Sequence, residues 1–214
     1  MYLTIENLSK SFNRNLVLNK LNLEVNKNNI IGIIGDNGSG KTTLLKIISG
    51  LMKPDSGKGF IFNSPLFNSN YKFLKHVLYW GHDQDSYSFL SPIENLKLFL
   101  KIRCQYKGDQ YIKESLIEVG LGSVFDKSMI DFSAGMVQRY HLARMKLSDW
   151  DFLLLDEPTN ALDERGLMLL EYMLKKYKTS KTTLIASHNL KFIKSHCDVT
   201  YKLIDGKLRD FKFN

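Results

Sequence analysis

The 214-residue chain carries 30 lysines and arginines against 22 acids, a net charge of +8, with 43% hydrophobic and 24% charged residues. This length suits one well-buried α/β domain and excludes two comfortable ones, and the composition, free of low-complexity tracts, excludes a largely disordered chain. Cys104 and Cys197 stand far apart without C-x-x-C spacing, which excludes a cysteine-rich metal or redox motif, and no apolar run approaches the roughly 20 residues that span a bilayer. The lysines are scattered, and a bias toward Lys, Asn, Ile and Phe accounts for the charge as well as an anionic partner does. No base-reading motif is present, so no nucleic-acid partner is expected. Without a basic-then-apolar leader, the chain is expected in the cytoplasm.

Two short strands are expected first, over residues 2–7 and 21–25, joined by a polar turn rich in Ser and Asn. An apolar run, Ile30 to Ile34, leads into Gly35-Asp36-Asn37-Gly38-Ser39-Gly40-Lys41-Thr42, with Thr43 after it, in the spacing G-x-x-x-x-G-K-T. Glycines at these places let the backbone aim N–H groups at phosphate oxygens, at the positive end of the following helix. Lys41 brings a point charge to the β- and γ-phosphates, and Thr42 a hydroxyl to Mg²⁺. ATP and Mg²⁺ are the expected ligands. The helix is expected over residues 41–51, with Leu44, Leu45, Ile47 and Ile48 on its buried face, followed by a turn over 54–59 and a strand over 60–62.

Residues 86–150 change to helical periodicity, expected as an inserted helical subdomain between catalytic lobes at 1–85 and 151–214. Beyond it, Phe152 to Leu155 and Thr183 to Ala186 are continuous apolar runs suited to parallel strands buried on both faces. Asp156-Glu157-Pro158 then places two carboxylates at a strand's carboxyl end, where ligands bind in such sheets. Asp156 suits Mg²⁺ through water, and Glu157 suits the proton of a water attacking the γ-phosphate.

Phe132-Ser133-Ala134-Gly135-Met136, followed by Gln138-Arg139, resembles the signature motif of ABC-type ATPases. The resemblance covers essentially the whole chain in family order, with Phe12 at the adenine-stacking aromatic, Ala161-Leu162-Asp163 at the D-loop and His188 at the switch histidine. It implies a P-loop NTPase fold: one ABC ATPase nucleotide-binding domain over 1–214, with a mainly parallel α/β sheet, an antiparallel β-subdomain and the helical insertion. It also implies ATP hydrolysis in which Glu157, His188 and Lys41 are catalytic. Ser133, Ala134 and Gly135 would cap the γ-phosphate held by a second ATP-binding subunit, in a homodimer or a pair with a related chain, and the dimer would drive membrane-spanning partners from the cytoplasmic face of the membrane. Ala134 replaces the usual glycine and Met136 the usual glutamine; the Ser133 hydroxyl and the Gly135 amide are kept, so activity is expected.

Where the family places a glutamine that touches Mg²⁺ and senses the transporter, this sequence has His82, with Gln84 close behind. Either the loop is shifted or His82 takes the role. Leu78-Tyr79-Trp80-Gly81-His82, together with the Ser-Ala-Gly signature, resembles the ATP-binding subunits of cytochrome c maturation haem exporters, which implies a part in haem handling. The alternatives are a general drug, lipid or polysaccharide exporter, and a soluble ABC ATPase of iron–sulfur assembly.

Overall fold

In a computed structural model, which describes residues 2–67, 71–81 and 86–213, strand β1 (Leu3–Phe12) turns back into β2 (Asn15–Val25) through Asn13 and Arg14. Their φ angles of 46° and 69° are those of a type I′ turn, whose twist matches that of the flanking strands. Both strands outrun the expected 2–7 and 21–25. The alternation that would have revealed them is broken at Asn7, in the left-handed region at φ 51°, where the register against β2 slips between Ile5 and Leu8. A bulge of this kind moves the following side chains to the other face.

β4 (Ser56–Ile61) adds to the other edge of β1, and β5 (Ser64–Pro65) completes an antiparallel sheet in the order β2-β1-β4-β5. The glycine-rich stretch read as a turn over 54–59 is therefore mostly strand. A Cβ on Gly57 would lie 2.7 Å from the Leu8 backbone, so the glycine serves a close approach of two strands at the bulge.

The second sheet contains β3 (Ile30–Ile34), β6 (Val77–Trp80), β7 (Phe152–Asp156), β8 (Thr182–Ala186), β9 (Val199–Ile204) and β10 (Lys207–Asp210), in the order β10-β9-β3-β8-β7-β6. All its ladders are parallel except that of the edge strand β10. Every residue of β3, β7 and β8 is buried, as expected of central parallel strands covered on both faces. Helix α1 (Lys41–Ile48) is capped by Ser49, a turn earlier than the expected end at 51, and lays Leu44, Leu45, Ile47 and Ile48 into the core with Phe152, Leu154 and Leu184.

Chain contacts divide the protein into two units: Met1–Trp80, Asp151–Glu157 and Lys175–Asn214 in the first, Gly81–Trp150 and Pro158–Leu174 in the second. The first holds both sheets, α1 and α6 (Leu190–His196). The second holds α2 (Pro92–Ile102), α3 (Asp109–Glu118), α4 (Ala134–Leu147) and the first turns of α5 (Glu164–Tyr177). A capping box starts α2: the Ser91 hydroxyl accepts from the Glu94 amide and the Glu94 carboxylate accepts from the Ser91 amide. Residues 158–174, expected from sequence in a catalytic lobe, group with the helical unit, where Asp163 pairs with Arg139 of α4. No helix among the described residues is long and apolar enough to cross a membrane.

Cys197 packs in the first unit beside Gly32, whose Cβ would sit 3.0 Å from its sulfur. Burial, reinforced by Asp198, pushes its thiol up to about 12, whereas Cys104 is exposed. Iodoacetamide at pH 8 is therefore expected to label Cys104 and spare Cys197 until the protein is unfolded, because the thiolate is the reacting form. Mass mapping of the labelled peptides checks this; equal labelling in the native protein contradicts the burial argument.

Candidate nucleotide site

The phosphate loop leaves the carboxyl end of β3 and enters α1 at Gly40, the N-cap, whose φ of 105° and ψ of 8° lie in the region that favours glycine. A Cβ there would also strike Val17 at 2.8 Å. Since Gly40 has no side chain to accept from the first turn, no side-chain cap occupies the amide donors of α1, leaving them to a ligand. The Lys41 side chain is 6% exposed and curls back, its Nζ donating to the carbonyls of Gly35 (2.8 Å) and Asp36 (3.1 Å). Ser39 Oγ is buried without a hydrogen-bond partner among the described residues. An orphaned hydroxyl inside a loop of amide donors is what an anionic, oxygen-rich ligand would satisfy, so the loop fits the phosphates of a nucleotide.

Across the sheet, β8 lies between β3 and β7 and brings the ends of all three together. Asp156, paired in register with Ala186, is 2% exposed and accepts a hydrogen bond from Tyr79 Oη at 3.3 Å. The chain then turns abruptly: Glu157 takes a φ of 50° and its amide donates to Ala186 O at 2.8 Å. Non-glycine residues in this region cost of order 1 kcal/mol or more and persist where surroundings hold them. Here the holding is visible. Glu157 Oε2 accepts from the Ser187 hydroxyl at 2.9 Å and lies 2.9 Å from His188 Nδ1, while the His188 amide donates to Oε1 at 3.0 Å and to Oε2 at 3.2 Å. Lys41 Nζ stands 3.8 Å from Oε1. The Thr42 hydroxyl and the Asp156 carboxylate are hard oxygen donors, the kind that suits Mg²⁺ with several waters retained.

Ser133 caps α4 in the second unit, its hydroxyl accepting from the Met136 amide at 3.3 Å. Ala134 opens the helix, and Gly135 sits one residue in, where a Cβ would be 3.1 Å from Ala161 O. Asp163 accepts from the Gly166 amide at 2.9 Å through Oδ1 and pairs with Arg139 through Oδ2; the Gly166 bond first, then Arg139, holds its carboxyl below the usual carboxylate range.

Phe12 ends β1, 41% exposed, with Lys10 Nζ 5.5 Å from its ring centroid. Thr42 is exposed on the first turn of α1 and Thr43 half-buried. His82 and Gln84 lie outside the described residues. Three residues the motifs did not flag join the first unit's site: Ser187 and Tyr79, through the bonds above, and Lys202, which lines a cleft of about 380 Å³ with Gly35, Asp36, Asn37 and His188. Ser187 was within reach of sequence reasoning, standing next to His188. Lys202 was not, because its place depends on the β9 register that pairs it with Ile34.

A phosphate loop after β3, a capped signature helix and paired acids at the end of β7 follow one another along this chain, and the ABC transporter family model matches residues 18–160. The chain belongs to the ABC transporter family, as an ATP-binding subunit. YybJ of Bacillus subtilis, an uncharacterized ABC transporter ATP-binding protein, is 34% identical over 203 residues, 94% of this chain and 92% of YybJ. The bacitracin transport ATP-binding protein BcrA of Enterococcus faecalis is 35% identical over 95% of this chain and 66% of its own length. The cytochrome c biogenesis ATP-binding export protein CcmA of Vibrio cholerae is 33% identical over 79% of this chain and 82% of its own. Among solved structures, a dimeric ATP-binding cassette in a post-hydrolysis state, bound to ADP and Pi, superposes with a TM-score of 0.87 over 99% of both chains at 24% identity, a likeness of fold. Both sheets and the helical segments are those of an ABC ATPase, and the chain is an ATP-hydrolysing enzyme by family.

Proposed function

We propose that this chain binds ATP on Gly35–Thr43, completes the site with Ser133–Gly135 of a second copy, and uses hydrolysis to drive a membrane-spanning exporter from the cytoplasmic face. The observation that carries the chemistry is the single network of Lys41, Glu157, Ser187 and His188 at the sheet's carboxyl edge. Lys41 trades its two loop carbonyls for β- and γ-phosphate oxygens. Glu157 is the general base: Oε2 is held by the Ser187 hydroxyl and Oε1 by the His188 amide, and Oε1, on the Lys41 side, keeps its second lone pair for the attacking water. His188 fixes that carboxylate through Nδ1. Phe12 stacks on the adenine, and Asp163 reaches the site from the second copy. Held by Thr42 and Asp156, Mg²⁺ would neutralise charge developing on the phosphate oxygens.

Two cargo readings have separate support. Export of bacitracin or a similar compound rests on the likeness to BcrA along 95% of the chain. Haem handling for cytochrome c assembly rests on the Trp80-Gly81-His82 stretch, the Ser-Ala-Gly signature and the shorter match to CcmA. The BcrA likeness, being the more extensive, favours the exporter. Deleting the gene in its own host separates them: loss of bacitracin tolerance with normal c-type cytochromes is expected, and loss of the cytochromes with unchanged tolerance reverses the choice.

A further inference from the structure

Arg139 lies in the second turn of α4, on the face that Gly135 presents one turn earlier. Its Nη1 donates to Val119 O at 2.7 Å, at the end of α3, and its Nη2 pairs with Asp163 Oδ2. Gly120, next to Val119, has a φ of 79°, and a Cβ there would fall 2.5 Å from Nη1, so the loop after α3 closes around the guanidinium. The other oxygen of Asp163 caps α5 by accepting from Gly166 N. At the start of α4, Gly135 abuts Ala161 O. Within one unit, the signature helix is thus bound to Asp163 by the Arg139 pair and lies close to Ala161 one helical turn earlier.

We infer that Arg139 is a positioning residue for ATP hydrolysis: its guanidinium, bridging Val119 O and Asp163, sets the signature helix and Ala161–Asp163 in one fixed relation. The inference rests on the proposed role of Ser133–Gly135 at the nucleotide. An ion pair to an exposed carboxylate contributes little to stability, so the consequence of this one is placement. Lysine cannot substitute, since a single ammonium does not reach two acceptors in diverging directions as the planar guanidinium does.

The test is made on the complex purified from its host through a tag on this chain, with Arg139→Lys, Arg139→Ala, Asp163→Asn, the Arg139→Ala/Asp163→Asn double variant and Ser133→Ala. Steady-state ATPase gives kcat and KM, and thermal melting reports folding. Arg139→Ala and Asp163→Asn are each expected to lower kcat by roughly tenfold to a hundredfold, the scale of a misplaced group, with KM for ATP and the melting midpoint little changed. The double variant should be no slower than the worse single one, and Arg139→Lys should behave as Arg139→Ala. Wild-type kcat in the Arg139 variants, multiplicative losses in the double variant, full rescue by lysine or a kcat that falls only in step with melting overturns the inference. Ser133→Ala separates the two levels: unchanged kcat there removes the signature reading itself, whereas a slow Ser133→Ala beside normal Arg139 variants removes only the positioning role.

Discussion

Glu157→Gln is expected to lower kcat by about a hundredfold to ten-thousandfold, the range for a lost general base, while ATP still binds and holds the protein in its nucleotide-bound state. Magnitudes distinguish this from a packing defect. The substitution keeps the shape of the side chain but turns one acceptor into a donor, among Ser187, the His188 amide and His188 Nδ1. A disturbed hydrogen bond of that kind is worth about 1 kcal/mol, which in a barrier gives only about fivefold. A loss of two decades or more thus requires that the carboxylate take a proton in the rate-limiting chemistry. Single-turnover hydrolysis beside equilibrium ATP binding reads both quantities. Turnover within a factor of about five of wild type would remove Glu157 as the base and leave it a structural acceptor at the turn after β7.

How much of this site the sequence revealed follows from how its parts are held together. The phosphate loop and Asp156-Glu157 were legible because each is contiguous and joins an apolar strand to a loop, so spacing alone carries the chemistry. The resemblance pointed to His188, but that His188 and Ser187 grip Glu157 was not legible, because they meet it only through the β7–β8 register that sets Asp156 against Ala186. The antiparallel sheet was half legible. Its strands exist where apolar residues alternate, but Asn7 breaks the alternation and Asn13-Arg14 makes a tight turn without the glycine that usually announces one. Arg139 shows the same limit in the helical unit: its two acceptors, Val119 O and Asp163, lie on either side of it in sequence and converge only when α3, α4 and α5 pack.

Lys41→Ala is expected to fail in the opposite way, losing binding before chemistry. Buried and fully engaged, the ammonium leaves the Gly35 and Asp36 carbonyls only for a stronger acceptor, and phosphate oxygens are that acceptor. Charge-assisted hydrogen bonds contribute about 1.5–3 kcal/mol, so ATP affinity should fall roughly tenfold to a hundredfold. Melting without nucleotide should change little: the variant loses two neutral carbonyl contacts, and Glu157 keeps Ser187 and His188 when its cation at 3.8 Å is gone. Stabilisation by added ATP should shrink sharply, because that shift reports ligand binding to the native state. Equal ATP-induced shifts in wild type and Lys41→Ala would mean that the phosphates are held by the loop amides alone. Lys41→Arg sharpens the comparison, since it keeps the charge but replaces a compact ammonium, which here donates to both carbonyls from one atom, by a larger planar fork. If charge alone mattered, arginine would restore the shift; the cradle geometry predicts that it does not.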